Sequence, residues 1–416
     1  MQKSEAVVTL MEKGIDEIEF LIGDNFENGE ALLNQHSYDV FSDETLNFLS
    51  NISDVLLKSP EIRDYPDVAT FAFYCRKSNL NSIKRSHLND TNLRIGRGVV
   101  FHITPGNVPV NFAYSFFAGL ITGNINIIRV PSRKFKQVEL IIQAIKTVLN
   151  EERHKSNFLN RLYMIRYNSD SNATALLSSL CDVRIIWGGD HTINEIRKSQ
   201  IPPKATEVTF SDRYSIAIID ADNYLECQDK ITLAKDFYND TYLFDQNACT
   251  SPQTIYWFGS NKVVEDAQKV FWEILQHTLE EEKFEMQPIL SIDKLTTFYS
   301  QAITHGNIKM EPQNSNEIFR VKNYSVRQDI DLFKCGSGYF NEVIVSSLDE
   351  LVPVISRKFQ TIGYYGFSIK DLSEWFIKAR PLGIDRIVPI GRTMDFSLIW
   401  DGYDLLSVLS RRISFS

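Results

Sequence analysis

The hydrophobic pattern changes character at Gly96-Arg97-Gly98. Before it, residues 1 to about 95 carry short apolar groups on polar backgrounds, such as Ile15, Ile18, Leu21 and Ile22, at a spacing that predicts helices. After it, Val99-Val100-Phe101-His102-Ile103 reads as a buried strand. Thr104-Pro105-Gly106-Asn107 then turns the chain into an apolar helix with Pro109 near its first turn, where a missing N–H is tolerated. A strand is predicted over residues 126–130. An amphipathic helix follows over 134–150, with Val138, Ile141, Ile142, Ile145 and Leu149 on one side. Strand 162–166, helix 173–180, strand 183–187 and a helix around 193–197 continue the alternation. Units of this length predict a mainly parallel sheet covered on both faces.

After Pro202-Pro203 the pattern restarts, with strands at 215–219 and 254–258 and helices at 231–242 and 263–279. Residues 283–335 are irregular in pattern; strand 342–345, a helix around 351–359 and strand 361–365 follow. The expectation is an α/β protein with a Rossmann-type domain over 1–206 and a second α/β domain over 207–383. Residues 384–416, with a strand at 386–390, are expected to return to the first domain.

Composition narrows the function classes. The 416 residues carry a formal charge of −9, which gives no support to a nucleic-acid partner. No stretch approaches the roughly 20 apolar residues that span a bilayer, and the longest run, 108–121, is broken by Asn111, Tyr114 and Ser115. Early charges and the lack of an apolar signal core argue against secretion. Cys75, Cys181, Cys227, Cys249 and Cys335 include no CxxC pair, the usage expected of reduced thiols in the cytoplasm. No Cys/His spacing suits a metal.

Three segments carry candidate chemistry. Phe244-Asp245-Gln246-Asn247-Ala248-Cys249-Thr250-Ser251-Pro252-Gln253 puts a cysteine between a helix and a buried strand, among small and polar neighbours that leave room for a tetrahedral intermediate. A small buried cysteine is the competing account; Cys75, Cys181, Cys227 and Cys335 fit that account better. Asn107, following a strand and flanked by Pro105 and Pro109, offers an oxyanion donor or a helix cap. Gly188-Gly189-Asp190-His191 offers backbone N–H groups to a pyrophosphate or an ordinary turn.

Together with Ile128-Arg129-Val130-Pro131-Ser132, the order and spacing of these segments resemble the aldehyde dehydrogenase superfamily. A closer resemblance is to the LuxC fatty acyl reductases, from about Gly96 to near the C-terminus. It includes Ala248-Cys249-Thr250-Ser251-Pro252-Gln253, the run Gly383 to Gly391, and Trp400-Asp401-Gly402. The resemblance implies an aldehyde dehydrogenase-like fold whose second domain is catalytic. It also implies an acyl thioester on the nucleophile Cys249, reduced with NADPH to an aldehyde, and Asn107 as oxyanion donor. Thr104, Pro105, Gly188 and Gly189 take the cofactor turns, with Arg129 and Ser132 near the adenosine ribose. The implied acyl donor is acyl-CoA, an acyl-carrier protein or an acyl-protein synthetase, and a homo-oligomer or an acyl-transfer complex is the candidate assembly.

Departures from the superfamily sharpen the expectation. Its deacylating Glu sits in an E-L-G-G segment; here the stretch is Glu207-Val208-Thr209-Phe210, and Glu207 reads as an exposed strand-edge carboxylate. That loss fits acyl exchange with a thiol rather than hydrolysis. Glu342 is a candidate for a nicotinamide-side carboxylate. Between Arg129 and Gln137 lie Arg129, Arg133, Lys134 and Lys136 and no acid, which suits the extra phosphate of NADPH. The alternatives are a CoA-acylating aldehyde dehydrogenase running in the reverse direction and a non-catalytic acyl-carrying subunit.

Overall fold

The computed structural model describes residues 18–23, 34–87, 93–312 and 315–414. The chain divides into two compact units, residues 1–211 with 403–416, and residues 212–402.

The first unit is built on a six-stranded sheet. Its strands are β1 (Glu19–Ile22), β3 (Val99–Ile103), β4 (Ile125–Arg129), β5 (Leu162–Arg166), β6 (Val183–Trp187) and β7 (Thr206–Phe210), in the order β1-β5-β4-β3-β6-β7. β3 to β7 pair in parallel and β1 joins β5 antiparallel. A further strand, β2 (Arg94–Gly96), pairs instead with Ser410–Arg412 near the end of the chain. Strands buried on both faces read as unbroken apolar runs rather than alternating ones, which is why β3 and β6 were visible in sequence. The helix Lys136–Leu149 packs Val138, Ile141, Ile142, Ile145, Val148 and Leu149 inward. Each such side chain, fully buried, contributes about 1.5–3 kcal/mol.

The second unit holds a seven-stranded sheet in the order β10-β11-β12-β9-β8-β13-β14. The strands are β8 (Tyr214–Asp220), β9 (Pro252–Phe258), β10 (Ile308–Met310), β11 (Phe319–Asn323), β12 (Tyr339–Val345), β13 (Phe359–Tyr365) and β14 (Arg386–Pro389). Only β10 is antiparallel to its neighbour. Helices Lys230–Thr241 and Asn261–Glu281 cover one face through Leu233, Phe237, Phe271, Trp272 and Leu275.

Several expectations are corrected. Ile18 to Ile22, expected in a helix, lie at and within β1, where pairing with β5 overrides a helical spacing over few residues; Ile15 lies outside the described residues. Residues 384–402 do not return to the first unit: β14 pairs in parallel with β13, and only 403–416 go back. Likewise residues 207–210 belong to β7 of the first unit, not to the second. The segment 283–335 contains a helix, Ile289–His305, and strands β10 and β11. Around 351–359 there is a short 3-10 turn, Leu348–Leu351, rather than an α-helix.

Candidate active site

In the first unit the chain runs from β3 outward through β4 to β5, then crosses back to the other side of β3 as β6. The crevice beyond the carboxyl ends of β3 and β6 is therefore a topological switch point, where open parallel sheets bind ligands. Thr104 and Pro105 follow β3; Gly188 and Gly189 follow β6; Arg129 ends β4. Thr104 donates its hydroxyl to the Arg129 carbonyl at 2.6 Å, tying the ends of β3 and β4 together. The Arg129 guanidinium lies 4.7 Å from the centroid of the Tyr167 ring, and its Nε is buried without a partner.

The residues present fit a dinucleotide. Gly189 has an ordinary φ of −67° and would meet nothing within 4 Å if it carried a Cβ, so backbone strain does not require glycine there. It caps the helix Asp190–Arg197 without a side-chain hydrogen bond, leaving N–H groups for an anion, although Asp190 places a competing negative charge in the first turn. Ser132, Arg133 and Lys134 are exposed in the loop after β4. The helix beyond starts at Lys136 rather than near Lys134, and Lys136 is paired with Glu61 at 3.1 Å. Arg133 lies over the Phe135 ring at 5.1 Å.

Asn107 is exposed, and its side chain makes no hydrogen bond among the described residues. It is not a helix cap: the helix is Asn111–Ile121, its cap position is Val110, and Pro109 lies in the turn ahead of it.

In the second unit Cys249 sits in a turn between the 3-10 segment Tyr242–Phe244 and β9. Two consecutive residues, Asp245 (φ 50°) and Gln246 (φ 59°), are left-handed and reverse the chain. Gln246 is the buried post of this turn. Its Nε2 donates to the carbonyls of Pro252 (2.8 Å) and Tyr339 (3.1 Å), and its Oε1 accepts from the N–H groups of Gly338 (2.9 Å) and Tyr339 (3.2 Å). Gly338 has φ 87°, and a Cβ there would lie 1.9 Å from the Glu317 carbonyl, so only glycine fits. The Ser215 hydroxyl donates to the Cys249 carbonyl at 2.7 Å, and the Thr250 hydroxyl approaches the Met394 sulfur at 3.2 Å. The Cys249 N–H has no acceptor among the described residues.

The thiol is half-buried, and desolvation pushes it up to about 11. Asp401 adds to that push, while Lys334, Gln360 and Arg213 oppose it. Asp401 accepts from Arg213 Nε at 2.8 Å and from Gln360 Nε2 at 3.0 Å, and Arg213 also pairs with Asp385. Lys334 donates to Asp212 at 3.0 Å and to the Arg213 carbonyl at 3.1 Å. Sequence reading missed Gln360, Arg213 and Lys334. Asp385 and Asp401 stood within matched segments, but nothing local to them pointed to the cysteine.

The other cysteines are not uniformly buried. Cys75 and Cys181 are, whereas Cys227 and Cys335 are as half-buried as Cys249. The two carboxylates under question are fully engaged. Glu207 lies on the edge strand β7 and is ion-paired rather than free, to Arg184 and, at 2.7 Å, to Arg197. Burial raises its carboxyl, but the hydrogen bonds from Arg197 and Arg184 outweigh that and hold it below its ordinary value. Glu342 is buried on β12; its Oε1 accepts from Trp257 (3.0 Å), Gln268 (2.9 Å) and Trp272 (2.9 Å), and its Oε2 from Arg320 (2.8 Å). Four donors leave it a packing anchor.

The model of the family described as Acyl-CoA reductase (LuxC) matches residues 76–412. A long-chain acyl-protein thioester reductase of Vibrio harveyi is 25% identical over 363 residues, covering 82% of this chain and 71% of the relative. One from Photorhabdus laumondii is 30% identical over 165 residues, 39% of this chain and 32% of that protein. Among solved structures, lactaldehyde dehydrogenase from Escherichia coli superposes with a TM-score of 0.63 at 13% identity, covering 99% of this chain and 91% of that one. Glyceraldehyde-3-phosphate dehydrogenase GapN from Methanocaldococcus jannaschii, complexed with NADP, gives 0.61 at 12% identity, with 99% and 93% covered. The fold is that of the aldehyde dehydrogenases. Among the described residues no helix is long and apolar enough to cross a membrane.

Proposed function

Because the chain belongs to the LuxC family of acyl-CoA reductases, we propose that it reduces an acyl thioester to an aldehyde through an acyl-enzyme on Cys249, with NADPH as reductant. The observation that carries this reading is the Cys249 turn itself. It is pinned by Gln246 and Ser215, its own N–H is uncommitted, and the positive charges of Lys334 and Arg213 favour its thiolate form.

The Cys249 thiolate attacks the thioester carbonyl, forming a C–S bond, and the donor thiol leaves with a proton. The Cys249 N–H is free to hold the oxyanion that forms transiently, and the family likeness gives Asn107, whose side chain is uncommitted, the role of a further oxyanion donor. The second unit thereby supplies the nucleophile and the first the cofactor crevice. Thr104, Pro105, Gly188 and Gly189 would line the dinucleotide crevice, while Arg129, Ser132, Arg133 and Lys134 would hold the adenosine ribose and its phosphate. Bound there, the nicotinamide supplies the hydride that turns the acyl-enzyme into aldehyde. Glu207 is held by two arginines, so no free carboxylate at that position serves to activate water. The acyl donor is acyl-CoA or an acyl-protein; the relatives named above act on acyl-protein thioesters.

Mass spectrometry after incubation with a panel of acyl-CoAs, without cofactor, tests the reading. An acyl mass on the Cys249 peptide, discharged as aldehyde on adding NADPH, is expected. Acylation elsewhere, for instance on Cys335, which is also half-buried, would overturn it.

A further inference from the structure

We propose that Met394 is a positioning residue of the nucleophile, its thioether braced against the Cys249 turn by a loop that Asp240 and Arg386 hold. The Met394 sulfur takes the Thr250 hydroxyl at 3.2 Å, and the Ser251 hydroxyl lies 4.0 Å from it. Thr250 and Ser251 are buried and directly follow Cys249 in the chain. The Ser215 hydroxyl holds the Cys249 carbonyl at 2.7 Å. The nucleophile is thus fixed twice, at its own carbonyl by Ser215 and at the next side chain by Met394.

The loop carrying Met394 follows β14 and is pinned at three successive residues. Asp240, buried near the end of the helix Lys230–Thr241, accepts from the Gly391 N–H at 2.6 Å and the Thr393 N–H at 3.0 Å. Arg386 donates to the Thr393 carbonyl at 2.8 Å and to the Arg392 carbonyl at 3.0 Å. Thr393, one residue before the methionine, is therefore held through both its backbone groups. Gly391 has φ 92°, and a Cβ there would lie 2.6 Å from the Asp236 carboxyl carbon, so the turn into the loop requires glycine. A thioether suits the end of such a brace. It is a neutral, polarizable acceptor with a long reach. A carboxylate in its place would take the hydroxyl more strongly, but it would add negative charge beside a thiol that burial already pushes up.

The inference rests on Cys249 being the nucleophile, and the two fail separately. Acylation of the full-length protein by palmitoyl-CoA is timed by mass spectrometry without cofactor, with NADPH fluorescence titration alongside. Met394→Leu keeps the bulk and removes the acceptor; Thr250→Val keeps the shape and removes the donor. Each should slow acylation of Cys249 by about tenfold, a modest share of what misplacing a reacting group can cost, and leave NADPH binding unchanged. Thr250→Ser restores the hydroxyl and should restore the rate. The double variant Met394→Leu, Thr250→Val should be no slower than the slower single one, because both remove the same contact. Parental rates in the single variants, multiplied losses in the double one, or an equal loss of NADPH affinity would overturn the assignment. Hydrogen exchange of the peptide 245–253 reads the same brace without acyl chemistry. It should quicken in Met394→Leu and in Asp240→Asn, and unchanged exchange in both would overturn the positioning role by itself. Absence of an acyl adduct on Cys249 in the parent would fail the nucleophile reading alone.

Discussion

At the carboxyl edge of the first sheet polar groups are left uncommitted, whereas at the amino edge of the second Gln246, Ser215 and Asp401 are engaged in buried hydrogen bonds. Around the first edge Gly189 faces open space, Arg129 keeps a buried Nε without a partner, and Ser132, Arg133 and Lys134 are exposed. Around the second, Gln246 alone makes four hydrogen bonds, and Asp401 is held by Arg213 and Gln360. The difference matches the two tasks proposed for these edges. A ligand that must come and go is met by N–H groups and cations that water satisfies in its absence. A thiol that must attack along one line is met by a backbone that cannot relax, because small misplacements of reacting groups are costly.

The hardest test of that contrast is Cys249→Ala. It should abolish both acyl labelling and aldehyde formation, while fluorescence titration with NADPH still saturates, since the cofactor edge is built in the other unit. Ordinary labelling in the variant would place the nucleophile elsewhere.

Asn107→Ala follows in size. Loss of one oxyanion donor costs on the order of a hundredfold in turnover. Because the side chain is exposed and is not a helix cap, thermal stability should not move. A stability loss at unchanged kcat would show that Asn107 belongs to the scaffold.

These two residues also mark how far sequence carried. Parallel strands buried on both faces, such as Val99–Ile103 and Val183–Trp187, announce themselves by composition, and each lies within the span read for it. Segments whose state depends on partners far along the chain did not. β1 owes its form to β5 more than a hundred residues on, β14 was legible as a strand but not its pairing with β13, and the helix Ile289–His305 keeps Ile292, Tyr299 and Ile303 exposed, so its pattern is muddled. The cysteine could be picked out from its small neighbours and from family likeness. Gln360, Asp401, Arg213 and Lys334 could not, because they meet only when four separate stretches of chain pack together. The setting of Glu342 was hidden for the same reason: the two tryptophans, the glutamine and the arginine that bond to it lie 22 to 85 residues away.

A smaller effect should follow from Arg133→Ala and Lys134→Ala. Each removes an exposed cation and no recorded ion pair, so stability should hold. The KM for NADPH should rise severalfold, about what one charge-assisted contact provides, with the KM for NADH unchanged. Equal weakening of both cofactors, or a better rate with NADH in the unmodified protein, would mean that this loop does not read the phosphate.

The smallest catalytic effect is expected of Glu207→Gln. Incubated with acyl-CoA alone, the protein should accumulate the thioester and release free acid slowly, and the variant should release it no more slowly still. The carboxylate is committed to Arg184 and Arg197, with only 16% of its side chain exposed, so it is poorly placed to take a proton from water. What the variant should change is stability. Folding holds the Glu207 carboxyl below its ordinary value, so the native state binds this proton less readily than the unfolded chain. The stabilisation is therefore fully present above the unfolded value of about 4.3, and it fades as pH falls through the lower folded value. Urea unfolding near neutral pH should show a loss of roughly 1–3 kcal/mol in the variant, the scale of hydrogen bonds to a charged group. In acid the two proteins should converge, because the parent has then lost the same interaction. A variant with parental stability but sharply slower release of acid would reverse the assignment and make Glu207 the base that deacylates the cysteine.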